Sequence, residues 1–163
     1  MMPSSGAILN TVKDTLPEVV AIFESATREI VFIVPPSVFS LYGTSYNTIQ
    51  NAMHFKQNGG VMRGITTISH TNAEETRMRL NIGEDLRHSD LHYEIFMIIG
   101  DRQRSLSAMY IDTDEFTPDT PIVAFRCESP VYAEYLITAF EKAWSEAVPA
   151  EERLQELLEQ GPL

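Results

Sequence analysis

The run Glu29-Ile30-Val31-Phe32-Ile33-Val34, stopped by Pro35-Pro36, constrains the fold more than any other stretch of this sequence. It is apolar, largely β-branched and without alternation, the pattern of a strand covered on both faces. Such a strand needs a layer of helices on each side, which places the chain in the α/β class. The segments that follow agree. Tyr46 to Gln57 has helical spacing and stops at Asn58-Gly59-Gly60, a C-terminal helix signal. Val61 to Ile68 then reads as a second strand, so strand, helix and strand form a βαβ unit.

The remaining elements follow from local signals. Thr15-Leu16-Pro17-Glu18 has the form of a capping box and is expected to open a helix carrying Val19, Val20, Ile22 and Phe23. Thr71-Asn72-Ala73-Glu74 offers a second box, for a helix reaching Asn81 and ended by Gly83. Leu86 to His88 is a short extended piece, and Tyr93 to Ile99 an apolar strand turning at Gly100-Asp101. Residues 104–111 are expected to pair back on that strand, with an acidic loop from Asp112 to Pro121 and a last strand over Ile122–Cys127. Ser129-Pro130 caps a helix on which Tyr132, Leu136, Ala139, Phe140, Ala143, Trp144 and Ala147 recur at three- and four-residue steps. Pro149 interrupts it, and Ala150 to Gln160 forms a terminal helix. Residues 1–14 read as an arm or a short helix, because Ile8 and Val12 are helically spaced, and residues 15–163 as one domain.

Composition removes several function classes. A hydrophobic fraction of 44% over 163 residues is enough for one cored domain. Cys127 is the single cysteine, so no internal disulfide forms, which suits a reducing cytoplasm. A net charge of −11 argues against direct nucleic-acid binding and against anionic membranes. Neither a signal peptide nor an apolar stretch near the ~18 residues of a membrane span is present.

With these elements in place a resemblance emerges. Ala26 to Val34, Gly59-Gly60-Val61-Met62-Arg63-Gly64-Ile65-Thr66-Thr67-Ile68, Leu86-Arg87-His88-Ser89-Asp90, Ile95 to Ile99 with Asp101, and Phe140 to Arg153 resemble the phospholipase-D-like regulatory domains. These occur in archaeal TrmB-type transcription regulators and in sensor regions of archaeal histidine kinases. The resemblance spans residues 26–157. It implies a single-domain α/β sandwich whose central mixed, mostly parallel sheet is flanked by helices, and a domain that receives a signal without turning over a substrate. Its relatives are fused to DNA-binding or kinase domains, and neither is read here.

A catalytic phospholipase D uses His-x-Lys-x4-Asp, normally twice: one histidine attacks phosphorus, the lysine neutralises phosphoryl oxygens, and the second histidine protonates the leaving group. His54-Phe55-Lys56 begins such a motif, but the aspartate position holds Val61, and no second copy follows. A homodimer could supply the second copy. His88 and His92 are four apart, as zinc ligands on one helical face would be, yet their segment reads as turn and strand entry, so no metal site is expected. Gly59-Gly60 lacks the lysine, serine and following helix of a phosphate loop.

Ligands of open α/β sheets gather at the carboxyl ends of strands. Arg63, Thr66, Thr67, Arg87 and His88 cluster there and form the candidate ligand-binding set, able to clasp an anion by bidentate and hydroxyl hydrogen bonds. Arg87 has an equal alternative: bonding backbone carbonyls, or pairing with Glu84 or Asp85. Tyr132, Tyr135, Phe140 and Trp144 read as core. The expectation is a non-catalytic sensory module without cofactor, a homodimer binding a small ligand or a protein partner. Two alternatives stand beside it: a phosphodiesterase assembled at a dimer interface, and an interaction adaptor without a ligand site.

Overall fold

A computed structural model of the protein describes residues 5–45, 48–91, 95–109 and 116–163. The elements are β1 (Ser5–Thr11), α1 (Val12–Ser25), β2 (Glu29–Ile33), α2 (Pro36–Ser40), a π-helical turn (Leu41–Ser45), α3 (Thr48–Gln57) and β3 (Val61–Thr66). Then come α4 (Ala73–Asn81), β4 (Asp85–His88), β5 (Ile95–Gly100), β6 (Arg104–Met109), β7 (Pro121–Glu128), α5 (Pro130–Glu146), β8 (Val148–Pro149) and α6 (Ala150–Gln160).

All eight strands join one mixed sheet in the order β1-β7-β6-β5-β2-β3-β4-β8. The apolar run of β2 lies inside it and is covered on both sides, as its lack of alternation requires. Ile30 and Phe32 enter the larger core beneath α1, α2, α3 and α6. Val31 and Ile33 enter a second core beneath α5. Helix α5 lies over β2, β5, β6 and β7 and buries Ala133, Leu136, Ile137, Phe140, Ala143 and Trp144. Ala139, expected on that face, is exposed.

Only β2–β3 and β3–β4 are parallel. The other five pairings are antiparallel, so the mixed sheet is not mostly parallel. The excess comes from the hairpin β5–β6, its continuation into β7, and two strands added from far along the chain. One of these is β1. Its residues pair antiparallel with β7, Ile8 opposite Phe125, where an arm or short helix was expected. A four-residue apolar spacing does not exclude a strand when the partner lies more than a hundred residues away.

Two capping expectations also shift. Helix α1 starts at Val12, and Thr11 Oγ1 donates to Asp14 at 2.7 Å. Thr15 lies inside the helix, its hydroxyl bonded to Val12 O and to the Tyr42 hydroxyl. Asn72, not Thr71, precedes α4, and its amide serves the loop instead of the helix: Oδ1 accepts from Ser69 N, and Nδ2 donates to Thr67 O. Ser129 caps α5 as expected, its Oγ accepting from Tyr132 N. Gly59 and Gly83, at φ +87° and +96°, end α3 and α4 in the left-handed conformation that glycine adopts without strain. The expected elements at Tyr46, Tyr93 and 110–115 lie outside the described residues.

Candidate functional site

The sequence-derived cluster divides between the two faces of the sheet. Side chains alternate along a strand, so Arg63 and Arg87 point to the α5 side with Ile65. Thr66 and His88, an in-register pair, share the other side with Met62 and Leu86.

On the α5 side both arginines are engaged by the helix. Arg63 forms a bidentate pair with Glu141, at 2.6 and 3.2 Å, and lies 5.1 Å from the Phe140 ring centre and 5.4 Å from that of Trp144. The hydrogen bond from Arg63 holds the Glu141 carboxyl below its ordinary pKa. Arg87 stacks on Trp144 at 4.2 Å and donates to Trp144 O at 2.8 Å. Among the described residues Arg87 has no carboxylate partner, and backbone bonding is the alternative that the geometry realises.

On the opposite side His88 is 5% exposed. Its Nδ1 accepts from Ile68 N at 2.9 Å, so the proton of the neutral ring belongs on Nε2, which lies 3.2 Å from Asp90 Oδ1. Burial lowers its pKa, against the opposing pull of Asp90. Thr66 is 3% exposed, and its hydroxyl has no hydrogen-bond partner among the described residues. Past the strand, Thr67 donates to Ser89 O at 2.8 Å. The five residues therefore stand near one another in the sheet but do not converge on one point. His92 lies outside the described residues, and among those described no group of three metal-ligating side chains occurs.

His54 and Lys56 stand in α3. Residues two apart on a helix diverge by about 200°, whereas two apart on a strand they share a face. His54 is exposed and 3.1 Å from the Asn58 amide, while Lys56 turns toward Gly83, so the two cannot act on one phosphoryl group. The aspartate that the fold does use is Asp101, at the β5–β6 turn with φ +50°. Its carboxylate accepts the N–H groups of Thr27, Arg28 and Glu29 at 2.8 to 2.9 Å, fastening that turn to the start of β2. Burial would raise its pKa; these backbone donors together with the Thr27 hydroxyl outweigh it and lower the value. Read back from Asp101, the His-x-Lys-x4-Asp spacing falls on Glu94 and Phe96. Phe96 is 1% exposed and belongs to the core.

A second location was not visible in the sequence. β3 and β4 extend the sheet on one side of β2, and β5 then joins on the other side, so the chain reverses direction across β2. The side chains of β2, β3 and β5 on one face of the sheet meet the covering helices there. Between them lies a cavity of about 40 Å³, lined by Phe32 and Val34 from β2 and its end, Phe96 and Ile98 from β5, Met62 from β3, and Val19, Phe23, Phe39, Tyr42, Thr48 and Arg79 from the covering helices. Gly64 opens room for it: the Phe32 ring lies against that glycine, where any Cβ would collide. Arg79 is 4% exposed and sits 4.3 Å from the Phe39 ring centre, paired with Glu75 at 3.2 Å and Glu84 at 3.1 Å. Burial raises the Glu84 pKa, although Arg79 pulls the other way. The strand order that brings these residues together is a long-range property, and no local motif announces it.

No protein-family model matches the sequence, and no curated protein does. Solved structures are similar in fold. TrmBL2, an archaeal chromatin protein, superposes with a TM-score of 0.67 at 14% identity over 88% of this chain and 53% of its own. Nuc, a phospholipase D family member from Salmonella typhimurium, gives 0.64 at 14% identity over 90% and 98%. NucT from Helicobacter pylori gives 0.67 at 11% identity over 90% and 99%. This chain spans about half the length of the chromatin protein and nearly all of the other two. No helix among the described residues is long and apolar enough to cross a membrane. Apart from the balance of parallel and antiparallel pairings, the architecture expected from the sequence motifs is thus present: the chain has the phospholipase-D-like fold, shared by a TrmB-type protein and by phospholipase D family members.

Proposed function

We propose that the chain is a non-catalytic regulatory module, which uses the phospholipase-D-like scaffold to bind a small ligand or a partner protein in signal transduction or transcription regulation. It would act as a cytoplasmic homodimer without contacting nucleic acid itself. The observation that carries this reading is the state of the phosphodiester motif. The only His-x-Lys pair lies on a helix, divergent and without its aspartate, and the spacing that does end in an aspartate places Phe96 where the lysine would stand. A buried phenyl ring supplies neither a proton nor a positive charge, so the charge stabilisation that phosphoryl transfer needs has no donor at that position.

The competing reading, a phosphodiesterase assembled across a dimer, draws support from the exposure of His54 and from the phospholipase D family members of similar fold. One assay separates the two. Bis(4-nitrophenyl) phosphate incubated with the protein is expected to release nitrophenolate no faster than in buffer, with the His54→Ala variant indistinguishable. Turnover that disappears in His54→Ala would establish the enzyme instead.

A further inference from the structure

We infer that the outer edge of β1, with the apolar surface beside it, is the contact by which two copies of this chain join into one continuous sheet. This names the interface of the homodimer proposed above and rests on that reading.

β1 ends the strand order, so its outer side has no neighbouring strand among the described residues. Exposed edges are ordinarily blunted by charge, by proline or by irregularity. In Ser-Gly-Ala-Ile-Leu-Asn-Thr only the last of these occurs: the register shifts between Leu9 and Thr11, which leaves Ser5–Leu9 as a regular edge. Gly6, Ile8 and Asn10 are exposed, so nothing among the described residues covers them.

The same end of the sheet is bare on the α5 side. Ile8 stands opposite Phe125, and Met109 opposite Val123, and strand alternation puts all four on that face. Helix α5 meets this end at Phe125, where Tyr132 approaches the phenyl ring edge-on at 5.5 Å and stacks on Tyr135 at 6.4 Å. Around that contact Ile8, Val123, Met109 and Tyr135 are 67%, 51%, 57% and 73% exposed. Four such side chains, half or more exposed, present on the order of 400–500 Å², a patch of functional size. A standard interface takes about 800 Å² from each partner, and the paired edge strands supply the remainder.

Charge selects a second copy as the occupant. Two chains at −11 repel one another, yet neither β1 nor the four exposed residues carry a charge. The charges that flank the strand are already neutralised, Glu128 by Arg104 and Lys13 by Asp119. A basic or acidic peptide would thus gain no ion pair from them. The strand is also complementary to itself. Antiparallel pairing about a two-fold axis at Ala7 sets Ile8 of each copy against Gly6 of the other. The Phe125 ring overlies Gly6, where an added Cβ would come within 2.9 Å of it. Each Ile8 therefore lands beside a phenyl ring, and the two apolar faces merge.

The experiment combines native mass spectrometry of the intact protein with hydrogen exchange along a dilution series. A mass twice that of one chain is expected at the concentrated end. The alternate amides of Gly6–Leu9 that do not bond β7 should exchange more slowly as the dimer forms. Ile8→Glu, at a residue exposed in the single chain, should raise the dissociation constant at least tenfold and leave the monomer's circular dichroism unchanged. Leu158→Glu, the same change of charge on α6 at the opposite end of the sheet, should leave the constant within twofold. A single-chain mass at every concentration would overturn the inference, and so would a dimer whose β1 amides gain no protection. Both are read on the unaltered protein. Phosphodiester turnover in the preceding assay would remove the regulatory reading without altering the mass or the protection of β1, so the two failures remain separate.

Discussion

The guanidinium of Arg87 lies 4.2 Å from the ring centre of Trp144 and donates a 2.8 Å hydrogen bond to the carbonyl of that same residue. One side chain on β4 thereby holds both the indole and the backbone of α5's last turn. Substituting Arg87→Lys keeps the charge but loses the planar stack and the fork geometry. A loss of about 1–2 kcal/mol is expected from the missing cation–π contact and hydrogen bond together. Urea denaturation measures it, and an unmoved midpoint would mean that Arg87 is available for a ligand after all.

Asp101 gathers three backbone N–H groups from the Thr27–Glu29 segment. Asp101→Asn tolerates the positive φ but loses the charge and half of the acceptor capacity. A destabilisation of about 1–3 kcal/mol follows. Because the folded carboxyl titrates below its ordinary value, its contribution is complete above about pH 4 and is lost as pH falls through the folded pKa. The wild-type stability curve should therefore fall more steeply in acid than that of Asp101→Asn, and a parallel pair of curves would count against this role.

His88 acts in the same direction, but at milder pH. Burial lowers its pKa, so the unfolded chain binds the proton first as pH drops below about 6.5. Stability should decline from pH 7 to pH 5, as protonation competes with the bond from Ile68 N to Nδ1. His88→Gln should flatten that segment of the denaturation midpoint against pH. A variant as pH-sensitive as the wild type would assign the decline to another group.

Gly64→Ala places a methyl group against the ring of Phe32. The ring must lift from the sheet into the adjoining cavity, at a cost of about 1–3 kcal/mol typical of overpacking. The thermal midpoint should fall, and the Met62 methyl signal should move without any ligand present. An unchanged spectrum would mean that Phe32 has another place to go.

Much of the fold was legible locally. The unbroken apolar run of β2, the glycine stop after α3, the Ser129 cap and the stripe of α5 each reflect a rule acting within a few turns of chain. β1 was not legible, since Ile8 and Val12 satisfy a helical spacing as well as a strand, and the deciding interactions are backbone hydrogen bonds to β7. The site was half legible for the same reason. Arg63 and Arg87 do share a face, but strand alternation sends Thr66 and His88 to the other, and Trp144 reaches the arginines from 57 residues beyond Arg87. The cavity depends on β5 lying beside β2, which is a matter of strand order and leaves no periodic trace.

The pairing of Ser5 with Glu128 also bears on how the protein is made. Ribosomes add about 5–20 residues per second, so β1 precedes its partner β7 by roughly 6–25 seconds. During that interval the parallel half, β2 to β4, has all its residues and can begin to assemble. β1, with no charged residue in Ser-Gly-Ala-Ile-Leu-Asn-Thr, meanwhile presents an unpaired edge to its surroundings. The nascent chain thus carries an uncharged segment whose place in the sheet opens only when β7, at the far end of the sequence, has been made.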